Sequence, residues 1–115
     1  MVAVRYEWIK LGRADATKIP GISTAGIADN VIADSVGTSG NLTVTTTATA
    51  SGSRPAAPVD SDKLYARLTA IDGPVHVVKG TNPTATLTNG LRLVPNVPEV
   101  LAVKSGDLLS FIGEA

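Results

Sequence analysis

Residues 64–79, LYARLTAIDGPVHVVK, decide the fold that the sequence predicts. Residues 64–71 and 74–79 are strand-like segments, and Asp72-Gly73 lies between them. An Asp-Gly pair favours positive φ, and it therefore predicts a tight hairpin between the two strands. Pro74 fits this interpretation, because proline is tolerated at the first position of a strand.

The rest of the C-terminal half continues this alternation of short strands and turns. Asn89-Gly90 is a second hairpin signal. The pattern predicts further strands at residues 84–88, 91–94, 99–104 and 108–112, with turns at residues 80–83, 95–98 and 105–107. Several short strands separated by turns indicate an all-β fold, with a β-sandwich or jelly-roll-like body, or else a barrel.

The N-terminal half contains two further strand signals. Residues 2–9, VAVRYEWI, place Val2, Val4, Tyr6 and Trp8 on one face and polar residues on the other, which predicts a half-buried strand. Residues 41–49, NLTVTTTAT, alternate in the same way and are rich in threonine, which suits the outer face of a strand.

Two long segments separate these strands from each other and from the C-terminal half. Residues 10–40 carry scattered Ile and Val among small and turn-forming residues, and we interpret them as extended loops or an arm. A short helical turn over residues 25–34 is an alternative that Gly26 weakens. Residues 50–62 contain two prolines and predict a linker or long loop. We therefore expect an N-terminal strand with an extended arm over residues 1–62 and an antiparallel β body over residues 63–115, together one structural domain.

Composition excludes several classes of protein. Ten basic and ten acidic residues cancel, so the basic surface typical of nucleic-acid-binding proteins is missing. The chain has no cysteine, which removes disulfides and thiolate metal sites. The first residues lack the pattern of a signal peptide, and no apolar run approaches the ~20 residues that cross a bilayer. We expect neither a nucleic-acid nor a membrane partner.

Few side chains are candidates for catalysis or metal binding. His76 is the only histidine, and its alternation with Val75 and Val77 predicts an ordinary surface or subunit-contact residue. Asp60, Asp62 and Asp72 suggest calcium by their type, but they lack the spacing of a calcium loop and suit solvated turns better. No serine stands in a nucleophile elbow. We expect no enzyme activity, no cofactor and no metal.

Two stretches, YARLTAIDGPVHVVKGTNPTAT (65–86) and LRLVPNVPEVLAVKSGDLLSFI (91–112), carry a recognisable pattern. Its elements are an A-R-L-T strand, a valine-rich strand, the Asn82-Pro83 turn, a Pro98-Glu99 step and a Lys104-x-Gly106-Asp107 turn before a final apolar strand. The pattern resembles small structural proteins of tailed-bacteriophage virions, especially capsid decoration (cement) proteins. It covers somewhat under half of the chain.

The resemblance implies a β-sandwich or jelly-roll body on the capsid exterior, made in the host cytoplasm. It implies a homodimer or homotrimer that binds and stabilises subunits of the major capsid protein. Residues in the N-terminal half are then the expected contacts to capsid or neighbouring subunits: Arg5, Trp8, Ile19, Ile22, Ile27, Val31 and Arg54.

Two other functions stay open from the sequence. One is a tail, fibre-base or head-fibre component of the virion. The other is a carbohydrate-binding adhesion module, in which Tyr6 and Trp8 form an aromatic platform. Because aromatic residues are only 3% of the chain, we favour core or intersubunit packing for this pair.

Overall fold

A computed structural model describes residues 2–12, 31–59 and 64–114. In these ranges the chain forms strands and irregular segments with a single 3-10 turn at Ser51–Ser53 and no α-helix. The strands are β1 (Val2–Gly12), β2 (Val31–Ser35), β3 (Gly40–Val44), β4 (Leu64–Ile71), β5 (Val75–Gly80), β6 (Leu91–Leu93), β7 (Glu99–Val103) and β8 (Leu108–Gly113). The all-β prediction is confirmed, and two antiparallel sheets make the fold consistent with a β-sandwich. The jelly-roll variant is not confirmed.

The larger sheet is built around β1, the longest strand. Its order is β2-β1-β4-β7, and β3 pairs with the first half of β1 on the edge that β2 uses further along. Val2 pairs with Val44 of β3, while Gly12 pairs with Val31 of β2. A bulge between Lys10 and Leu11 shifts the register of the β1–β2 ladder. β1 therefore has two different partners along one edge.

The smaller sheet has the order β6-β5-β8. Each sheet turns alternate side chains toward the other, and these form a single core from both halves of the chain. Its largest fully buried side chains are Trp8, Leu68, Leu93, Leu109 and Phe111. Alanines fill the spaces between them, since Ala66 and Ala70 on β4 are completely buried.

The predicted hairpin at Asp72-Gly73 is wrong. Asp72 does adopt the positive φ that was expected, at 64°. However, β4 pairs with β1 and β7, whereas β5 pairs with β6 and β8, so the turn carries the chain from one sheet to the other. Residues 105–107 make the same kind of crossing between β7 and β8. A turn signal reports local backbone geometry and does not say which strand will be the partner.

The predicted strand at residues 84–88 is also wrong. Side chains there bond to the local backbone: Thr86 N–H donates to Asn89 Oδ1 at 2.7 Å, and Asn89 Nδ2 donates to the Thr84 carbonyl at 3.1 Å. These bonds fold the segment into a turn that competes with a sheet ladder. The Ala85 N–H donates to Ser110 Oγ at 3.0 Å, which holds the segment against the outer face of β8.

Three predictions in the N-terminal half need correction. β1 continues through Lys10–Gly12, and Val31–Ser35 is a strand, so neither stretch is loop or helical turn. Residues 13–30 of these predictions lie outside the described residues, while residues 36–39 are irregular, as the loop interpretation expected, and Gly40 begins β3. The strand predicted at 41–49 ends at Val44; beyond it the Thr45 carbonyl accepts from the Gly113 N–H at 2.8 Å, and the Thr45 and Thr47 hydroxyls lie 3.0 Å apart.

The predicted linker beginning at residue 50 is irregular, as expected, over its described part, and it contributes to the core. The Leu109 N–H donates to the Pro55 carbonyl at 2.9 Å, and the Ala57 N–H donates to the Asp107 carbonyl at 2.7 Å. Ala57 is buried. Together with Thr49, which bonds to Phe111, this segment covers the outer edge of β8 and closes one side of the sandwich.

Candidate interaction surface

Within the described residues, β1 continues for three residues beyond its ladder with β4. The ladder between these strands reaches Ile9, opposite Tyr65, while residues 10–12 pair with β2 alone in the described part of the chain. The two strands therefore form a ribbon that extends the larger sheet. Gly12 and Val31, which are paired, are separated in the sequence by eighteen residues, 13–30, that lie outside the described part of the chain.

Of the expected contact residues, Arg5 lies on the outer face of the larger sheet. It is exposed, and its Nη1 donates to Asn41 Oδ1 of β3 at 3.3 Å. Glu7 accepts from Arg67 Nη1 of β4 at 3.2 Å and lies 3.8 Å from Arg5 Nε. These charges join three neighbouring strands across a face that is open to solvent. Exposed pairs of this kind contribute little stability and leave their charges available to a partner.

Trp8 faces the opposite way. It is 2% exposed, and Tyr6 packs beside it with ring centroids 6.0 Å apart at an interplanar angle of 56°. Both rings belong to the core or its margin, so Trp8 presents no surface to a capsid or a sugar. The preference for core packing over an aromatic platform agrees with this placement.

The other expected contacts are separated from Arg5. Val31 lies at the end of the β1–β2 ribbon, paired with Gly12. Ile19, Ile22 and Ile27 lie outside the described residues. Arg54 is half-buried beside the smaller sheet, where its Nη1 donates to Asn82 Oδ1 at 2.9 Å and ties the covering segment to the loop after β5.

His76 is buried, so the expected surface position is wrong. It lies on the outer face of the smaller sheet, opposite Arg92 on β6. Its Nε2 is 2.8 Å from Glu114 Oε1, and the same carboxylate accepts from Arg92 Nε at 2.7 Å. Hydrogen bonds from Arg92 and then His76 lower the pKa of Glu114 to about 2. An ionised carboxylate only accepts, so His76 Nε2 carries the proton in this contact.

No match to this chain was found among protein-family models, curated proteins or solved structures. The likeness to virion proteins therefore rests on the residues quoted for it. Within the described ranges, no helix is long and apolar enough to span a bilayer. The same ranges hold no cluster of three or more His, Cys, Asp or Glu side chains suited to a metal ion. Asp72 is exposed in its turn, and Asp60 and Asp62 lie outside the described residues.

Sequence reasoning missed a second surface, on the side of the sandwich away from β2 and β3. Among the described strands, β6 and β7 are edge strands of the two sheets, and residues 94–98 join them. Four of the exposed large apolar side chains belong to this side: Leu91, Val94, Val97 and Val100, which are 38–47% exposed. The sequence shows the valines of this surface, but only the strand order shows that β6 and β7 lie at the edges of their sheets.

Proposed function

We propose that this chain is a non-enzymatic virion structural protein of the capsid decoration type, which binds and stabilises assembled subunits of the major capsid protein. The observation that carries the proposal is the β1–β2 ribbon, which extends beyond the β1–β4 ladder. In the sequence, residues 13–30, with three of the expected contact residues, connect the paired Gly12 and Val31. A capsid contact through these residues leaves the pairing of the described strands unchanged.

Two further features support this role. The pattern that resembles decoration proteins, residues 65–112, spans β4 to β8 and so supplies most of a two-sheet body with a closed core. The outer face of the larger sheet carries a charged row in which Arg5 is exposed and Glu7 and Arg67 are half-buried. A protein that binds assembled subunits better than free ones stabilises the assembly by that difference in affinity.

A loop-replacement variant tests the proposal. Residues 13–30 are replaced by Asn-Gly, which suits a two-residue turn between the paired Gly12 and Val31. Heads lacking the protein are mixed with wild-type or variant chain, and bound protein and heat-induced breakage are measured. We expect wild-type protein to bind and to raise the breakage temperature, and the variant to keep its sandwich but lose binding.

The matched control is Val59→Ala, at an exposed residue outside the set of expected contacts, which should bind heads as wild type does. Equal head binding by wild-type and loop-replaced protein contradicts a contact through residues 13–30. Equal breakage temperature of heads with and without bound wild-type protein contradicts the stabilising role itself. Binding to tails and not to heads favours the tail or fibre alternative.

A further inference from the structure

The edge of β7 is self-complementary in its backbone, its apolar side chains and its charges. We propose that two copies of this chain associate through β7, pairing antiparallel about a two-fold axis at Val100 and joining their larger sheets. The proposal names a surface and a partner, and it holds whether or not the chain belongs to a virion.

The direction of the backbone groups comes from Lys79. Its Nζ donates to the carbonyl of Ala102, reaching from β5 in one sheet to β7 in the other. The Ala102 carbonyl therefore points away from β4, toward the free edge. Backbone groups alternate in direction along a strand, so the N–H and carbonyl of Val100 also point to that edge.

An axis at Val100 matches donors to acceptors. Val100 lies opposite Val100 of the second copy, and each N–H donates to the other carbonyl. Pro98 lies opposite Ala102 of the second copy, whose N–H donates to the Pro98 carbonyl. Proline has no N–H to return, and the acceptor it would have needed, the Ala102 carbonyl, is already bound by Lys79. Pro98, which has no N–H to donate, therefore lies opposite the one carbonyl, that of Ala102, which already accepts a hydrogen bond from Lys79.

Side chains in this register are also complementary. Val100 is 46% exposed on the outer face, and pairing places it against its own copy. Glu99 and Lys79 both lie on the core-facing side of their strands, because Glu99 alternates with Val100 and Lys79 pairs with the buried Leu109. The axis brings Glu99 of each copy beside Lys79 of the other. Two opposite-charge contacts form, and no like charges meet.

Sedimentation equilibrium of the full chain from about 1 μM to 1 mM tests this interface. We expect a monomer–dimer equilibrium, because a single short edge strand buries a small area. Val100→Lys is expected to raise the dimer Kd at least tenfold by placing two cations opposite each other. Val100→Pro is expected to do the same by removing the outward N–H, which no partner in β4 uses.

The control is Val59→Lys, which adds the same charge at a valine that is 92% exposed and outside β7. Its Kd is expected to stay within about twofold of wild type, since isolated surface substitutions have small effects. Glu99→Lys is expected to weaken the dimer at low salt, and added salt is expected to reduce that loss. A chain that stays monomeric up to about 1 mM, or equal effects of the Val100 and Val59 substitutions, overturns the proposal.

Discussion

Trp8 on β1 lies directly opposite Ala66 on β4, so the largest side chain of the core is paired with one of the smallest. Both residues are buried, Trp8 at 2% and Ala66 at 0% exposure. With few aromatic residues in the chain, one indole supplies an unusually large share of the buried apolar surface.

Trp8→Ala is therefore expected to reduce the free energy of unfolding by about 3–5 kcal/mol, because it removes the indole and leaves a cavity. The measurement is urea unfolding followed by circular dichroism. Arg5→Ala, on the opposite face of the same strand, is the control and should cost no more than about 1 kcal/mol. Equal effects of the two substitutions contradict the placement of Trp8 in the core.

Gly90 and Gly106 form a matched pair that separates backbone strain from steric overlap. Both have positive φ, at 71° and 78°. A Cβ on Gly90 would lie 2.2 Å from the Val77 carbonyl oxygen, whereas a Cβ on Gly106 meets nothing within 4 Å. Gly106→Ala is expected to cost about 1–2 kcal/mol from conformation alone.

Gly90→Ala is expected to cost at least about 3 kcal/mol, because overlap adds to the same strain. Thermal unfolding of the two variants gives the comparison. Similar melting temperatures would mean that the 81–90 segment does not lie against β5 as described.

Thr49 tests the covering segment on β8. Its hydroxyl accepts from the Phe111 N–H at 2.8 Å and donates to the Phe111 carbonyl at 2.7 Å. Thr49→Val keeps the shape and the 2.9 Å bond from the residue 49 N–H to the Phe111 carbonyl, but it leaves the Phe111 N–H without its acceptor. The expected loss is about 1–3 kcal/mol. Thr46→Val, at an exposed position nearby, is the control. Faster amide exchange at Phe111 in the Thr49 variant alone is the second expected result.

The Glu114 cluster predicts a specific dependence of stability on pH. Hydrogen bonds from Arg92 and His76 lower the pKa of Glu114 from its ordinary value of 4.5 to about 2. The folded state therefore binds this proton more weakly than the unfolded chain. Its stabilising contribution is complete above pH 4.5 and is lost as the pH falls from there toward 2.

Glu114→Gln removes that titration, so the variant is expected to lose less stability than wild type between pH 4.5 and 2. The measurement is the free energy of unfolding across that range. Identical slopes for the two proteins contradict the hydrogen-bonded state of the carboxylate. Arg92→Gln provides a second variant, because loss of its bonds should return the pKa of Glu114 toward its ordinary value.

The positions of the strands were predictable from the sequence where a strand has one apolar face, because the side chains of that face recur at every second residue. The alternation in residues 2–9 and the β-branched and apolar runs after residue 64 identified β1 and β4 to β8. Residues 84–88 alternate as well, but hydrogen bonds between Asn89 and the backbone of Thr84 and Thr86 form there in place of hydrogen bonds to a neighbouring strand. β2 was missed because Val31–Ser35 is short and contains Ala and Asp.

Strand partners were much less predictable. Asp72 adopts the backbone conformation expected of an Asp-Gly turn, yet the turn joins two sheets, because pairing is decided by which apolar faces can be buried together. The contact set drawn from the resemblance joined Arg5 and Trp8, although the alternation of side chains along β1 sends them to opposite faces. The β7 edge followed only from the strand order.

The most direct test of the proposed virion role is the number of copies in purified particles, measured by quantitative mass spectrometry against the major capsid protein. A decoration protein is expected in many copies per head, in a constant ratio to the capsid subunit. Absence from the particles, or only a handful of copies at the tail or one vertex, contradicts the proposal that this chain covers and stabilises the shell.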